Sequence, residues 1–185
     1  MDILLHTCCG PCATYSTEHL AKEGYSPTMY YYNPNIHPFR EWKQRREALK
    51  TFANTKELPL IIEEEYDMPD FLRQVVFHEK ERCGFCYRLR LTKTAEKAKE
   101  LGVEWFGTTL LISPYQNREL ILAIGKELAE EANLRFYEGD FRPGFRRSQE
   151  MAKELGLYRQ GYCGCIYSEC ERYAKKRNRP KSIIE

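Results

Sequence analysis

The chain alternates short apolar runs with longer stretches in which apolar residues recur every three or four positions. Ile3 to His6 is one such run, followed at once by the Gly10-Pro11 turn and the amphipathic stretch Ala13 to Glu23, with Gly24 as a stop signal. This predicts a strand, a loop and a helix. Thr28 to Tyr32 predicts a second strand ending in Asn33-Pro34-Asn35, Pro38 to Thr55 a charged helix, and Leu60 to Ile62 a third strand. Helical spacing returns over Met68 to Phe77 and Tyr87 to Leu101. Val103 to Gly107 then reads as a strand, Arg118 to Ala132 as a helix and Leu134 to Tyr137 as a last strand. Such alternation belongs to the α/β class, a parallel sheet flanked by helices. Ligands of these sheets sit beyond the carboxyl ends of the strands. The loops HTCCGPC, NPNIHP, TTLLISPYQN and EGDFRPGF are therefore expected to face one crevice.

No repeat or linker interrupts the pattern, so the 185 residues are expected to form one domain, residues 158–185 being a C-terminal extension with a Cys-x-Cys pair and a basic tail. With 42% hydrophobic and 30% charged residues the chain has the material for a core and is not of disordered type. Its 29 Lys and Arg against 27 Asp and Glu leave a charge of only +2, so an anionic partner must be met by a local patch. No apolar run is long enough to span a bilayer, and the start Met1-Asp2-Ile3-Leu4-Leu5-His6 lacks a basic leader segment. A cytoplasmic protein with no membrane partner is expected.

Eight cysteines in a reducing compartment call for metal or redox chemistry. They form three groups: Cys8, Cys9 and Cys12; Cys83 and Cys86; Cys163, Cys165 and Cys170. A Cys-x-x-Cys turn can aim both sulfurs at one metal, so Cys9 with Cys12 and Cys83 with Cys86 offer four thiolates for zinc or an iron–sulfur cluster. Cys8 is a fifth candidate, which a four-ligand zinc site would leave without a role. Cys163 and Cys165 suit either a metal or a dithiol–disulfide cycle.

Other residues are candidates by position. His6, at the end of the first strand, can be a ligand, a proton donor or a packed residue, and Asp140 can ligate iron, hold a proton or cap a turn. Tyr115 and Gln116 offer an aromatic platform and an amide. The segment from Arg172 to Lys181, with Lys175, Lys176 and Arg177, has no acidic residue and suits phosphate contact, as do Arg142, Arg146 and Arg147 and, elsewhere, Arg40, Lys43, Arg45 and Arg46.

HTCCGPC, ERCGFCYRLR, TTLLISPYQN, DFRPGFRRS and YCGCIYS, in this order over nearly the whole chain, resemble the QueH family of epoxyqueuosine reductases. The resemblance implies a Rossmann-like core of the HUP type. It also implies removal of the epoxide oxygen of epoxyqueuosine at the wobble position of tRNA, the last step of queuosine formation, without cobalamin. A [4Fe-4S] cluster and an additional iron ion come with it, as does a need for an external electron donor. Carried onto this chain, the cluster falls on Cys9, Cys12, Cys83 and Cys86 with Cys8 in reserve, and which of these thiols serves the extra iron stays open. Cys8, His6, Asp140, Cys163 and Cys165 are then the expected catalytic groups, and Tyr115, Gln116, Arg142, Lys175, Lys176 and Arg177 the expected substrate contacts. Two rival readings compete. An ATP-pyrophosphatase-like tRNA thiolase would need a Gly-rich phosphate cradle where HTCCGPC stands. A zinc-stabilised RNA-binding module would leave Cys8 and the Cys163/Cys165 pair without a task.

Overall fold

The computed structural model describes residues 1–175. Five strands, β1 (Asp2–His6), β2 (Ser26–Tyr31), β3 (Leu60–Ile62), β4 (Trp105–Thr108) and β5 (Arg135–Phe136), form one sheet in the order β3-β2-β1-β4-β5. Every pairing is parallel, as the alternation predicts. β1 is central, and after Asp2 each of its residues is buried, as a strand covered on both faces requires. The chain leaves β1 toward β2 and β3 on one side and later returns to β4 and β5 on the other. That makes the carboxyl ends of β1 and β4 the switch point where such sheets place their ligands.

Helices α2 (Phe39–Lys56) and α6 (Phe145–Glu154) pack against α1 (Gly10–Lys22), while α4 (Arg82–Glu100) packs on α5 (Arg118–Ala132) and against β1 and β4. Short helices α3 (Met68–Val75) and α7 (Ile166–Tyr173) complete the set. The stripes that bury these helices are visible in their sequences: Trp42, Arg45, Leu49, Phe52 and Ala53 on α2, and Ile121, Ile124, Leu128 and Ala129 on α5. Asn117 caps α5 by accepting from the Leu120 amide at 3.1 Å, and Asn133 ends it in the left-handed region at φ 55°.

α4 begins at Arg82, five positions earlier than the predicted start at Tyr87. Cys83 and Cys86 thus ride the first turn of a helix, where residues three apart share a face. α6 and α7, with 3₁₀ turns at Thr109–Ile112 and Arg142–Gly144, were not foreseen from the apolar pattern. Among the described residues no helix is long and apolar enough to cross a membrane.

Candidate active site

The first thiol group is built by the turn from β1 into α1. Cys9 is the N-cap of α1, its sulfur accepting from the Cys12 amide at 3.5 Å, and Pro11 fills an early helical position that needs no donor. Gly10 is imposed by packing: a Cβ there would lie 2.9 Å from the Ala48 carbonyl oxygen of α2. The turn gathers the sulfurs of Cys8, Cys9 and Cys12 within 4.8 Å of one another, all three residues buried. Cys8 lies within this cluster of sulfurs together with Cys9 and Cys12. Hydrogen bonds from the Cys12 and Cys9 thiols hold Cys8 well below the ordinary thiol range. Burial pushes Cys9 up, and the hydrogen bond Cys12 gives to Cys8 pushes Cys12 up. Gln160 Nε2 donates to the Cys9 sulfur at 3.0 Å, and the Thr109 hydroxyl to the Cys8 sulfur at 3.6 Å.

The second group brings Cys83 and Cys86 of α4 near Cys163 and Cys165, whose ionisation would add to the effect of burial in pushing both α4 thiols up. Cys86 is buried in one apolar cluster with Cys165, Phe71 and Val75. Desolvation pushes Cys86 up to about 12, although Arg90 Nη2 donates to its sulfur at 2.9 Å. Cys83 and Cys163 are exposed. All eight cysteines are free thiols, so Cys163 and Cys165 form no disulfide here.

The loop holding Cys163 and Cys165 is pinned by α2 and by NPNIHP. The Arg45 guanidinium donates to the carbonyls of Cys163 and Tyr162 at 2.7 and 3.0 Å, and the His37 amide to the Gly164 carbonyl at 2.8 Å. The Tyr162 hydroxyl donates to the His37 carbonyl. Gly164 fits because a Cβ would press on Ile36 at 3.2 Å and on Arg45 at 3.4 Å. Arg45 is therefore a buried clamp and not the basic surface residue expected of it.

Cys8 and Cys12 of the first group and Cys163 of the second open onto one crevice of about 480 Å³. Cys8, Cys12, Thr109, Tyr115, Gln160 and Cys163 line it, with Gln116, Phe145, Tyr162 and Arg172 among their neighbours. The expected loops contribute unequally. HTCCGPC and TTLLISPYQN line the crevice, while NPNIHP stands behind it as a support for Cys163 and Cys165. Tyr115 is 84% exposed at the rim, edge-on to Phe145. Gln116 bridges, accepting from the Tyr87 hydroxyl at 2.7 Å and donating to the Cys163 sulfur at 3.1 Å.

Besides Cys9, Cys83, Cys86 and Cys165, the expected site residues His6, Asp140 and Arg142 do not line the crevice. His6 is fully buried beneath the loops and does not line the crevice. Its Nδ1 sits 2.9 Å from the Thr108 hydroxyl, and its Nε2 sits 3.3 Å from both the Tyr32 carbonyl and Asn33 Oδ1. Burial pushes it down to about 3, so at neutral pH it is an uncharged imidazole with no proton to spare. Asp140 and Arg142 also depart from expectation, for neither lines the crevice. They pair with each other at 2.6 Å, and hydrogen bonds from Arg142 hold the Asp140 carboxyl down at about 2. Lys175 is exposed, while Lys176 and Arg177 lie outside the described residues.

Arg90 and Gln160 carry thiol contacts that sequence reasoning passed over. Arg90 had a signal, a charge on the buried stripe of α4 between Tyr87 and Leu91. Gln160 had none, because its loop has no periodicity.

The family profile described as "Epoxyqueuosine reductase QueH" matches residues 3–171. A protein of that name from Dehalococcoides mccartyi is 39% identical over 173 residues, covering 94% of this chain and 95% of the relative. Another from Thermotoga maritima is 34% identical over 183 residues, covering 94% and 93%. Among solved structures, one titled as the predicted subunit of a tRNA methyltransferase from Methanocaldococcus jannaschii superposes with a TM-score of 0.56 at 16% identity. It covers 83% of this chain and 76% of its own, a likeness of fold alone.

Proposed function

This chain belongs to the epoxyqueuosine reductase QueH family, and from that premise we propose that its thiol-lined crevice reduces epoxyqueuosine to queuosine in tRNA by thiolate-supported two-electron chemistry. The observation that carries the reading is the convergence of Cys8, Cys12 and Cys163 on one crevice. Turning an epoxide into an alkene breaks both C–O bonds, consumes two electrons and two protons, and releases the oxygen as water. Oxidation of Cys163 and Cys165 to a disulfide releases the same two electrons and two protons. An external donor then restores the dithiol.

The donor set fits a thiolate-bound metal. Three buried, mutually adjacent sulfurs are soft ligands of the kind that hold iron–sulfur clusters. Cys8, Cys9 and Cys12 would hold it, with Cys83 and Cys86 as the further thiolates. When bound, a [4Fe-4S] cluster with an additional iron supplies low-potential electrons and a Lewis acid for the epoxide oxygen. Gln160 and Thr109 donate to the sulfurs and so keep them aimed. Tyr115 offers a face on which a base can stack at the mouth, and Arg172 a cation for the RNA backbone.

Anaerobic purification with iron and acid-labile sulfide analysis, followed by single-turnover reduction of epoxyqueuosine tRNA, tests this. Brown protein that converts the tRNA is expected. A colourless, folded, zinc-only protein with full activity would overturn the iron reading, and a brown protein inert toward the tRNA the assigned chemistry.

A further inference from the structure

A buried cation needs an anion, and this fold buries two arginines almost completely, Arg45 at 1% and Arg90 at 2% exposure. Arg45 has an ordinary partner: its Nε donates to Glu41 Oε1 at 2.8 Å, and the remaining donors reach loop carbonyls. Arg90 has none. Among the described residues no carboxylate forms an ion pair with it. Its Nε donates to the Cys86 carbonyl at 3.0 Å and its Nη2 to the Cys86 sulfur at 2.9 Å. Burial pulls its pKa down, and ionised Cys86, Cys163 and Cys8 would push it up. The guanidinium thus meets the sulfur of Cys86 where a buried arginine ordinarily meets a carboxylate.

We propose that Arg90 is the built-in counter-ion of an anionic metal–thiolate centre, a positioning residue that aims Cys86 and offsets the negative charge such a centre gains on reduction. The proposal rests on the metal reading above and goes beyond it by assigning the cation. Without a bound anionic centre the guanidinium is a charge removed from water and not repaid by a carboxylate. Once thiolates are gathered around metal it becomes half of a charge-assisted pair. A packing residue would support the empty and the loaded fold alike, whereas a counter-ion supports only the loaded one.

Arg90→Met and Arg90→Lys separate these roles. Thermal melting is compared for the metal-free protein and for protein loaded anaerobically with ferrous iron and sulfide, alongside iron stoichiometry and the midpoint potential of the loaded form. For Arg90→Met the metal-free protein should melt at or above the wild type, the rise in Tm on loading should shrink, and the potential should move more negative. Arg90→Lys, which keeps the charge, should restore most of the potential. Equal losses of Tm in both forms with an unchanged potential, or an Arg90→Met chain that fails to fold without metal, would overturn the proposal. A wild type that takes up no iron overturns the metal reading and this proposal with it. A wild type that loads while Arg90→Met is indistinguishable overturns this proposal alone.

Discussion

Arg45 on α2 donates to the main-chain carbonyl of Cys163, 118 positions away in sequence, at 2.7 Å. Its other side is held by Glu41, which also accepts from the Tyr158 hydroxyl at 2.5 Å. Removing one partner of a buried ion pair leaves the other charge uncompensated, so Arg45→Met should lower the unfolding free energy by about 3–5 kcal/mol. Urea unfolding measures that. The same change frees the loop, and Cys165, only 8% exposed in the intact protein, should become open to alkylation by iodoacetamide. Unchanged stability with Cys165 still protected would show that the loop is held by something else.

Single Cys→Ser changes at Cys8, Cys9 or Cys12 each take one donor from the triad, and should cost most of the bound iron. Cys83→Ser and Cys86→Ser should also abolish the full cluster absorbance if α4 supplies the remaining thiolates. Iron and sulfide analysis of the five variants decides the ligand set. A full-strength spectrum in any of them removes that residue from it.

Cys163→Ser and Cys165→Ser should spare iron content and slow turnover, because these thiols are assigned to electron relay and not to the metal. Iron stoichiometry and single-turnover reduction, measured side by side, distinguish the two assignments. Loss of iron in either variant would place that residue in the metal site.

Much of this arrangement is legible in the sequence because a parallel sheet writes its strands as apolar runs and its crevice as the loops that follow them. Ile3 to His6 and HTCCGPC show this directly: run, turn, thiols, helix. What escaped is what periodicity does not encode. α6 and α7 have only ten and eight residues, and α6 buries Ser148, Met151 and Ala152 while α7 buries no residue fully, so each repeats its apolar positions too few times to stand out from loop. The start of α4 was hidden because Arg82, Cys83 and Gly84 look like loop until the helix is seen to carry them. Polar side chains on buried faces were misread by type. Arg45 and His6 were expected to face solvent or substrate, yet packing encloses both and hands their polar atoms to neighbouring loops.

The enclosure of His6 has a measurable cost in acid. Its folded value is depressed to about 3 chiefly by burial, while the unfolded chain titrates near 6.5. The unfolded state therefore binds a proton first, and stability that is fully present above pH 6.5 is lost as pH falls toward the folded value. Between pH 7 and pH 5 this one group should cost about 2 kcal/mol. His6→Gln should lose that much less over the same interval, whatever its absolute stability. Urea unfolding of metal-free protein at the two pH values is the check, and parallel losses in wild type and variant would mean that His6 is charged within the fold.

Among the described residues that line the crevice, Arg172 is the one cation, and Glu171 stands beside it. Lys175 is exposed just after α7, and Lys176 and Arg177, which lie outside the described residues, follow in sequence. Each cation that neutralises a phosphate releases condensed counterions, so replacing all three with Gln should weaken tRNA binding and reduce the slope of log affinity against log salt by about 2–3. A cation that meets only the phosphates of the RNA binds ground and transition states alike. The defect should therefore be a raised KM with little change in kcat. Binding titrations between low and moderate salt, paired with steady-state kinetics, separate capture from chemistry. An unaltered salt slope and KM in the triple variant, or reduction of the free modified nucleoside as efficiently as of tRNA, would remove the tail from substrate recognition.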